Sequence, residues 1–324
     1  MKLRILLAIF AMGFALCIGI SPAQAQATRT WVSGVGDDAN PCSRTAPCKT
    51  FAGAISKTAA GGEIDCLDPG GFGAVTITKS ITLDCSGTFG SVLNSGTNGI
   101  NVNDSATGTP GTIRVVLRGI SINGAGTGFT GVNFVSGASL LIEDCIIQNN
   151  TGGAAVGVNF RPTTAARLEM NHVTVTGMGA AGGGVLVQPV GVGGGARVSI
   201  TDSDISLNIG YGVRVDSTGD TGSSMAVSIN RTTIGGNNIG VIINQPAATT
   251  GITMVMTGST VFNNGTALST SGGSTQFAVG GSTITGNGTE MLKTNGGTIQ
   301  SFGDNYRVGN SAAGTFDPPA LTKS

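Results

Sequence analysis

The chain has 324 residues, only 10% of them charged, with cationic and acidic side chains balanced at 17 each. An ordinary soluble domain is about 25% charged, so this surface offers no basic footprint for nucleic acid or an anionic membrane. The 55 glycines follow no Gly-X-Y period, which excludes collagen, and a 40% hydrophobic fraction excludes a disordered chain.

The N-terminus reads as a leader. Lys2 and Arg4 precede an apolar run from Ile5 to Ile20, and the small-residue stretch Ser21-Pro-Ala-Gln-Ala-Gln-Ala27 follows. That order predicts a secretory signal peptide over residues 1–27, cleaved after Ala25 or Ala27, and a secreted or periplasmic protein with no membrane segment once the leader is removed. The mature chain would carry 15 cations against 17 acids. Residues 28–62 follow as a cap. Within them Cys42 and Cys48 bracket a short loop, Ser-Arg-Thr-Ala-Pro, which an oxidising compartment would close as a disulfide. Phe51, Ala54, Ile55 and Ala59 share one helical face, Thr50 can serve as N-cap, and Gly61-Gly62 stops the run. A capping α-helix over Thr50–Ala60 is therefore expected.

Residues 63–300 are repetitive. Gly131-Val-Asn-Phe134, Gly157-Val-Asn-Phe160, Gly184-Val-Leu-Val187, Gly212-Val-Arg-Val215 and Gly240-Val-Ile-Ile243 are one element recurring every 26 to 28 residues. A second strand follows in each unit, alternating apolar with polar: Leu140/Ile142, Leu168/Met170, Val198/Ile200, Val227/Ile229 and Met254/Met256. After a two-residue turn comes a third short strand, as in Cys145/Ile147, Val173/Val175 and Ser203/Ile205. Three short strands in about 27 residues describe one coil of an all-β solenoid, since 3.6-residue periodicity is absent. An asparagine sits three residues beyond the last apolar position: Asn150, Asn208, Asn237, Asn264 and Asn287, with Met178 breaking the row. Stacked about 4.8 Å apart, these amides can bond to one another inside the turn. Asn310 lies in the terminal region, 301–324, and is expected to fall outside that ladder.

Ile64-Asp-Cys66 and Leu83-Asp-Cys85 repeat after 19 residues and should occupy neighbouring coils. Their Cα spacing suits a disulfide, while parallel Cβ vectors oppose it, so the pair is either bonded or free. Cys145 remains as a buried small hydrophobe.

Trp31-Val-Ser-Gly-Val-Gly-Asp-Asp38, Pro47-Cys-Lys-Thr50, Gly62-Glu-Ile64 and Ile77-Thr-Lys-Ser-Ile81 resemble the start of right-handed parallel β-helix proteins of the pectin-lyase-like superfamily. The resemblance covers essentially the whole mature chain and implies the fold. It is weak for function, because the superfamily holds pectate lyases, polygalacturonases, adhesins and other exported proteins. The polygalacturonase motifs Asn-Thr-Asp, Asp-Asp, Gly-His-Gly and Arg-Ile-Lys do not recur on successive coils here. The only histidine lies in Asn171-His-Val173, and the 17 carboxylates are scattered, so no metal site and no cofactor are expected. Gly177-Met-Gly-Ala-Ala-Gly182 matches a dinucleotide fingerprint, but a strand follows it where a helix is needed.

One constellation remains. The turns after the second strand read Arg118-Gly119, Glu143-Asp144, Asn171-His172, Thr201-Asp202 and Asn230-Arg231 before fading to glycine. Glu143, Asp144, His172, Asp202 and Arg231 would lie on successive rungs, a mixed acceptor and donor stripe suited to a polyhydroxylated chain. His172 is the natural proton-transfer group if catalysis occurs, flanked by Asp144 and Asp202. A solvated turn with alternating charges is the plainer reading of the same residues. A second stripe, after the first strand, holds Arg161, Gln188, Arg214, Asp216 and Asn244. The function expected is a non-catalytic surface, matrix or polysaccharide-binding protein. The alternative is a polysaccharide lyase or glycoside hydrolase with its site on the middle-coil turns.

Overall fold

The computed structural model describes residues 26–179 and 182–322. Residues 1–25 of the expected leader, including Lys2 and Arg4, lie outside the described residues. Among the described residues, no helix is long and apolar enough to cross a membrane.

Each repeated strand type builds its own parallel sheet. The first strands, such as Thr130–Ser136, Val156–Phe160 and Tyr211–Asp216, form a nine-stranded sheet. The second strands, such as Ser139–Glu143, Ala165–Asn171 and Gly195–Thr201, form one of eleven strands, and the third strands, such as Ile146–Gln148 and Thr174–Thr176, one of ten. The chain visits the nine-, eleven- and ten-stranded sheets in turn and then climbs one rung, which makes a parallel β-helix.

Register follows the sequence repeat. Val132, Val158, Val185, Val213, Val241 and Leu268 form one inward column of the nine-stranded sheet. Phe134 and Phe160 stack in the next, ring centroids 4.7 Å apart. All are buried, and full burial of such a side chain contributes roughly 1.5–3 kcal/mol. The glycine that opens each repeat has a steric cause. A Cβ on Gly157 would lie 2.2 Å from Val175 Cγ1, and one on Gly184 would lie 2.4 Å from Ile205 Cγ2. The corner closes only because these positions lack a side chain.

Both ends differ in detail from the sequence expectation. The helix spans only Phe51–Ile55, with Thr50 as N-cap, not Thr50–Ala60. Thr58 is drawn into the strand Thr58–Cys66 by pairing with Ala27 and by a 2.8 Å hydrogen bond to Thr30 Oγ1, so the helix ends before Ala59 can join it. The helix packs against Val75–Ile77, where the nine-stranded sheet ends. The strand Ala27–Val32 begins the eleven-stranded sheet, and the Cys42–Cys48 loop covers its outer edge. There Trp31 N–H donates to Cys42 O, and Cys48 N–H donates to Trp31 O, both at 2.9 Å. At the far end the sheets continue past residue 300 to Tyr306–Val308. The tail then covers Thr298–Ser301: Asp317 accepts from Ile299 N–H, and Leu321 N–H donates to Ser301 O. Edges that could pair with other chains are thereby blocked on that sheet.

Cys66 and Cys85 are bonded, their Cα atoms 4.8 Å apart on adjacent rungs. Cys145 is the free, buried cysteine among the described residues, its thiol pushed up to about 12 by burial.

The asparagine ladder is present. Asn208, Asn237, Asn264 and Asn287 each donate an amide hydrogen to the Oδ1 of the next member at 2.9–3.1 Å. That same Oδ1 also accepts a backbone N–H from the rung before. Asn310, expected outside the ladder, is its last member, accepting both from Asn287. The sheets run on past residue 300, so one more ladder rung is needed. Toward the N-terminus, Asn94 reaches across an intervening coil to Asn150 at 2.7 Å, where Gly128 leaves the space. A second polar ladder was not legible as such: Ser203, Ser259 and Ser282 hydroxyls each accept the backbone N–H of the rung before and donate to the carbonyl two residues back.

Replacing Asn237 with Leu should cost about 1–3 kcal/mol, because it strands buried donors and acceptors on both sides. Asn310→Leu should cost measurably less, since the site is partly open to water. Denaturant unfolding of both variants checks this, and an Asn237 variant as stable as the parent would refute the ladder's energetic role.

Candidate functional site

The turn stripe is one backbone position repeated. Asp144, His172, Asp202 and Arg231 have φ of 52°, 52°, 51° and 45°, and Gly119, Gly258 and Gly281 occupy the same place in other coils at 64°, 57° and 55°. The tight corner between the eleven- and ten-stranded sheets requires the left-handed region, which glycine enters freely and Asp, Asn and His more readily than most residues. Four successive coils therefore hold a strained non-glycine residue where neighbouring coils hold glycine.

The side chains do not gather into a single cluster. Arg231 grips Asp202 with two hydrogen bonds, at 2.7 and 2.6 Å, and holds that carboxyl below its usual range. Glu143 turns toward the previous rung and accepts from Arg118 Nε at 2.6 Å, while Arg118 also lies 3.9 Å from Asp84. Asp144 and His172 are exposed and make no side-chain hydrogen bond or ion pair among the described residues. His172 is close enough to Asp202 to add to the lowering of the Asp202 carboxyl, after the larger effect of Arg231. In the second stripe, Asp216 is fully buried. Burial opposes its charge, yet hydrogen bonds from Thr218 and Arg214 outweigh that and lower its pKa. Asn244 donates to the same carboxylate at 3.1 Å. Arg161 and Gln188 make no side-chain hydrogen bond within the described residues.

A concave surface lies beside the turn column, on the outer face of the eleven-stranded sheet. This groove, about 680 Å³, is lined by Arg167, Glu169, Arg197, Ser199, Ser228 and Val255 among others. Arg167 and Arg197 are partners in register on neighbouring strands. Both are exposed, and neither has an ion pair or side-chain hydrogen bond among the described residues. Glu169 is likewise unpaired. By contrast, Arg29, Arg118 and Arg231 elsewhere on this face are all bound to carboxylates. The sequence carried a signal for the groove. In Arg167-Leu-Glu-Met170 and Arg197-Val-Ser-Ile200 the apolar residues mark the core, and the same alternation puts the charges outward at equivalent repeat positions.

At the first coils the same face holds an acidic network. Arg29 bonds Glu63 at 3.0 Å and lies 2.9 Å from Asp65, which stacks on Asp84 in register. Burial, and then the hydrogen bond and charge of Glu63, push the Asp65 carboxyl up to about 6 despite Arg29. No group of three or more His, Cys, Asp or Glu placed to hold a metal ion occurs among the described residues.

Two outcomes are expected. Because His172 sits at the left-handed position without a side-chain partner, His172→Gly should raise stability by up to about 1 kcal/mol, whereas His172→Ala should not; equal effects in denaturant unfolding would remove the strain argument. Asp65 titrates at 3.8 in a model peptide and about 6 when folded, so it favours folding below 3.8 and loses that contribution as pH rises through 6. Asp65→Asn should therefore gain stability relative to the parent between about pH 4 and about pH 7. Parallel pH–stability curves for the two proteins would contradict this.

No family model and no curated protein matches the chain. Among solved structures, it is similar to pectate lyase Pel9A, with a TM-score of 0.57 and 14% identity over 91% of this chain and 81% of that one. A second likeness is to the A-module of the mannuronan C-5 epimerase AlgE4 of Azotobacter vinelandii, at a TM-score of 0.38 and 12% identity, covering 84% of this chain and 93% of that one. With the ladders and the three sheets, the first of these likenesses gives the fold alone: the chain is a right-handed parallel β-helix.

Proposed function

We propose that this is an exported polysaccharide-binding protein whose ligand lies along the outer face of the eleven-stranded sheet in the middle coils. The carrying observation is the pair Arg167 and Arg197, in register, exposed and unpaired at a groove of about 680 Å³. A guanidinium presents a planar fork that matches a carboxylate, and two of them a rung apart suit successive acidic groups of a polymer. Ser199 and Ser228 add hydroxyl partners along the same face. The ligand class favoured is an acidic polysaccharide. Two disulfides among the described residues agree with an oxidising, exported setting.

A catalytic reading rests on a different observation. His172 is exposed at the rim with Asp144 one rung before it and Asp202 one rung after, and its imidazole is free of hydrogen bonds. A lyase or hydrolase would use it for proton transfer.

One experiment addresses both. Purified mature protein is tested by calorimetry on polygalacturonate, alginate and neutral dextran, while unsaturated products and reducing ends are followed. Binding to an acidic polymer should weaken at least about tenfold in the double variant Arg167→Ala/Arg197→Ala, and fall as salt rises. Undiminished binding in that variant would overturn the groove reading. Turnover that disappears in His172→Ala would convert the assignment to an enzyme.

A further inference from the structure

The outer face of the eleven-stranded sheet carries a second concavity, remote in sequence from the middle-coil groove. In Ala27–Val32 the residues Thr30 and Val32 point inward, which turns Arg29 and Trp31 outward. Trp31 is half-buried and stands in register with Asp65, which stands in register with Asp84, so that an indole and two carboxylates occupy three successive rungs of one column. Two clefts meet at this indole. One, about 400 Å³, is lined by Trp31, Arg44, Asp65, Leu67, Asp84 and Ser86. The other, about 650 Å³, lies on the side of the Cys42 loop and includes Arg29, Asn40, Pro41, Ser43 and Lys57 with Trp31.

We propose that Trp31 and the column beneath it form a second carbohydrate site, one that takes a neutral sugar residue stacked against the indole. A partly exposed indole offers a flat apolar body with one polar N–H, which suits the C–H face of a pyranose ring. Trp31 Nε1 and the Arg44 guanidinium make no hydrogen bond among the described residues, so both are free to donate. The Asp65 and Asp84 carboxylates supply acceptors a rung apart for neighbouring hydroxyls. The charge balance selects against an acidic sugar. Four carboxylates, Glu63, Asp65, Asp84 and Glu143, face three guanidinium groups, Arg29, Arg44 and Arg118, and two of those are already bound, Arg29 to Glu63 and Asp65 and Arg118 to Glu143. In the middle-coil groove the balance runs the other way, with two unpaired guanidinium groups, Arg167 and Arg197, against one carboxylate, Glu169.

The site is also held rigid. Cys66 follows Asp65 and Cys85 follows Asp84, and the bond between them ties the two acidic rungs together. The Cys42–Cys48 bond fixes the loop that hydrogen-bonds Trp31 on its other edge. Cys66 thus lines the first cleft and Cys42 the second, so a disulfide borders each side of the indole, and a pre-ordered site binds with less entropy lost.

Trp31 is the only tryptophan in the chain, so its emission reports on this site alone. Purified mature protein is titrated with cellohexaose, xylohexaose, mannohexaose and chitohexaose, and with oligogalacturonate, while selectively excited tryptophan fluorescence is followed. At least one neutral hexamer should give a saturable change that oligogalacturonate does not. Asp65→Asn/Asp84→Asn should weaken it about tenfold or more, with the fold checked by circular dichroism, and Arg167→Ala/Arg197→Ala should leave it unchanged. No saturable change with any neutral hexamer, a response as strong to oligogalacturonate, or a response untouched by the carboxylate variant would each overturn the proposal. Loss of polygalacturonate binding in the middle groove would leave this result unaffected, so the two readings fail independently.

Discussion

The whole molecule depends on parallel hydrogen bonding in register between successive coils. In the strands, each rung's backbone N–H and C=O groups find their partners in the rungs before and after, at one fixed spacing, as the 4.8 Å separation of Cys66 and Cys85 illustrates. Because register is shared, whatever side chain one coil places inward must be compatible with its equivalents above and below. Valine on valine and phenylalanine on phenylalanine follow directly. A one-residue slip would turn every such column outward, so the pattern is strongly specified.

The same constraint makes polar groups tolerable inside the corners. A buried amide is costly unless each of its hydrogen-bonding groups is satisfied. In a ladder, the carbonyl of one asparagine receives both an amide hydrogen and a backbone N–H of its neighbour, and the pattern propagates until the stack ends. The serine ladder solves the problem of the opposite corner in the same way. Ladders must also terminate. Asn310 accepts the last pair of bonds at one end, and Asn94 leaves its Oδ1 buried without a partner at the other.

Stacking also explains why outward chemistry comes in columns. Side chains separated by a whole coil in sequence become nearest neighbours, so charge is either paired along a column, as in Arg118 with Glu143 and Arg231 with Asp202, or left open, as in Arg167 and Arg197. The left-handed corner adds a local restriction: residues 144, 172, 202 and 231 are committed to one backbone conformation whatever their chemistry. That gives the turn stripe a structural cause, and it leaves His172 and Asp144 exposed without fixed partners.

The repeat period by itself determined the coil, the identity of the inward columns, the position of the turns and most of the asparagine ladder. All of these follow from local alternation repeated at a constant interval, and local pattern is what a sequence displays. Tertiary structure decided which neighbours share a bond. Glu143 pairs with Arg118 on the preceding rung and not with the adjacent turn residues, because it leaves the sheet outward before the chain bends at Asp144. It also decided the ends, where no repeat constrains the chain: Thr58 joins a strand through Thr30 and Ala27, which shortens the helix to Phe51–Ile55. The bond between Cys66 and Cys85 was open in the sequence, because only the actual separation and direction of two stacked residues settle it. The groove of Arg167 and Arg197 and the cleft of Trp31 were written in outward positions of alternating strands. A concavity is a property of several coils together, and no single repeat contains one.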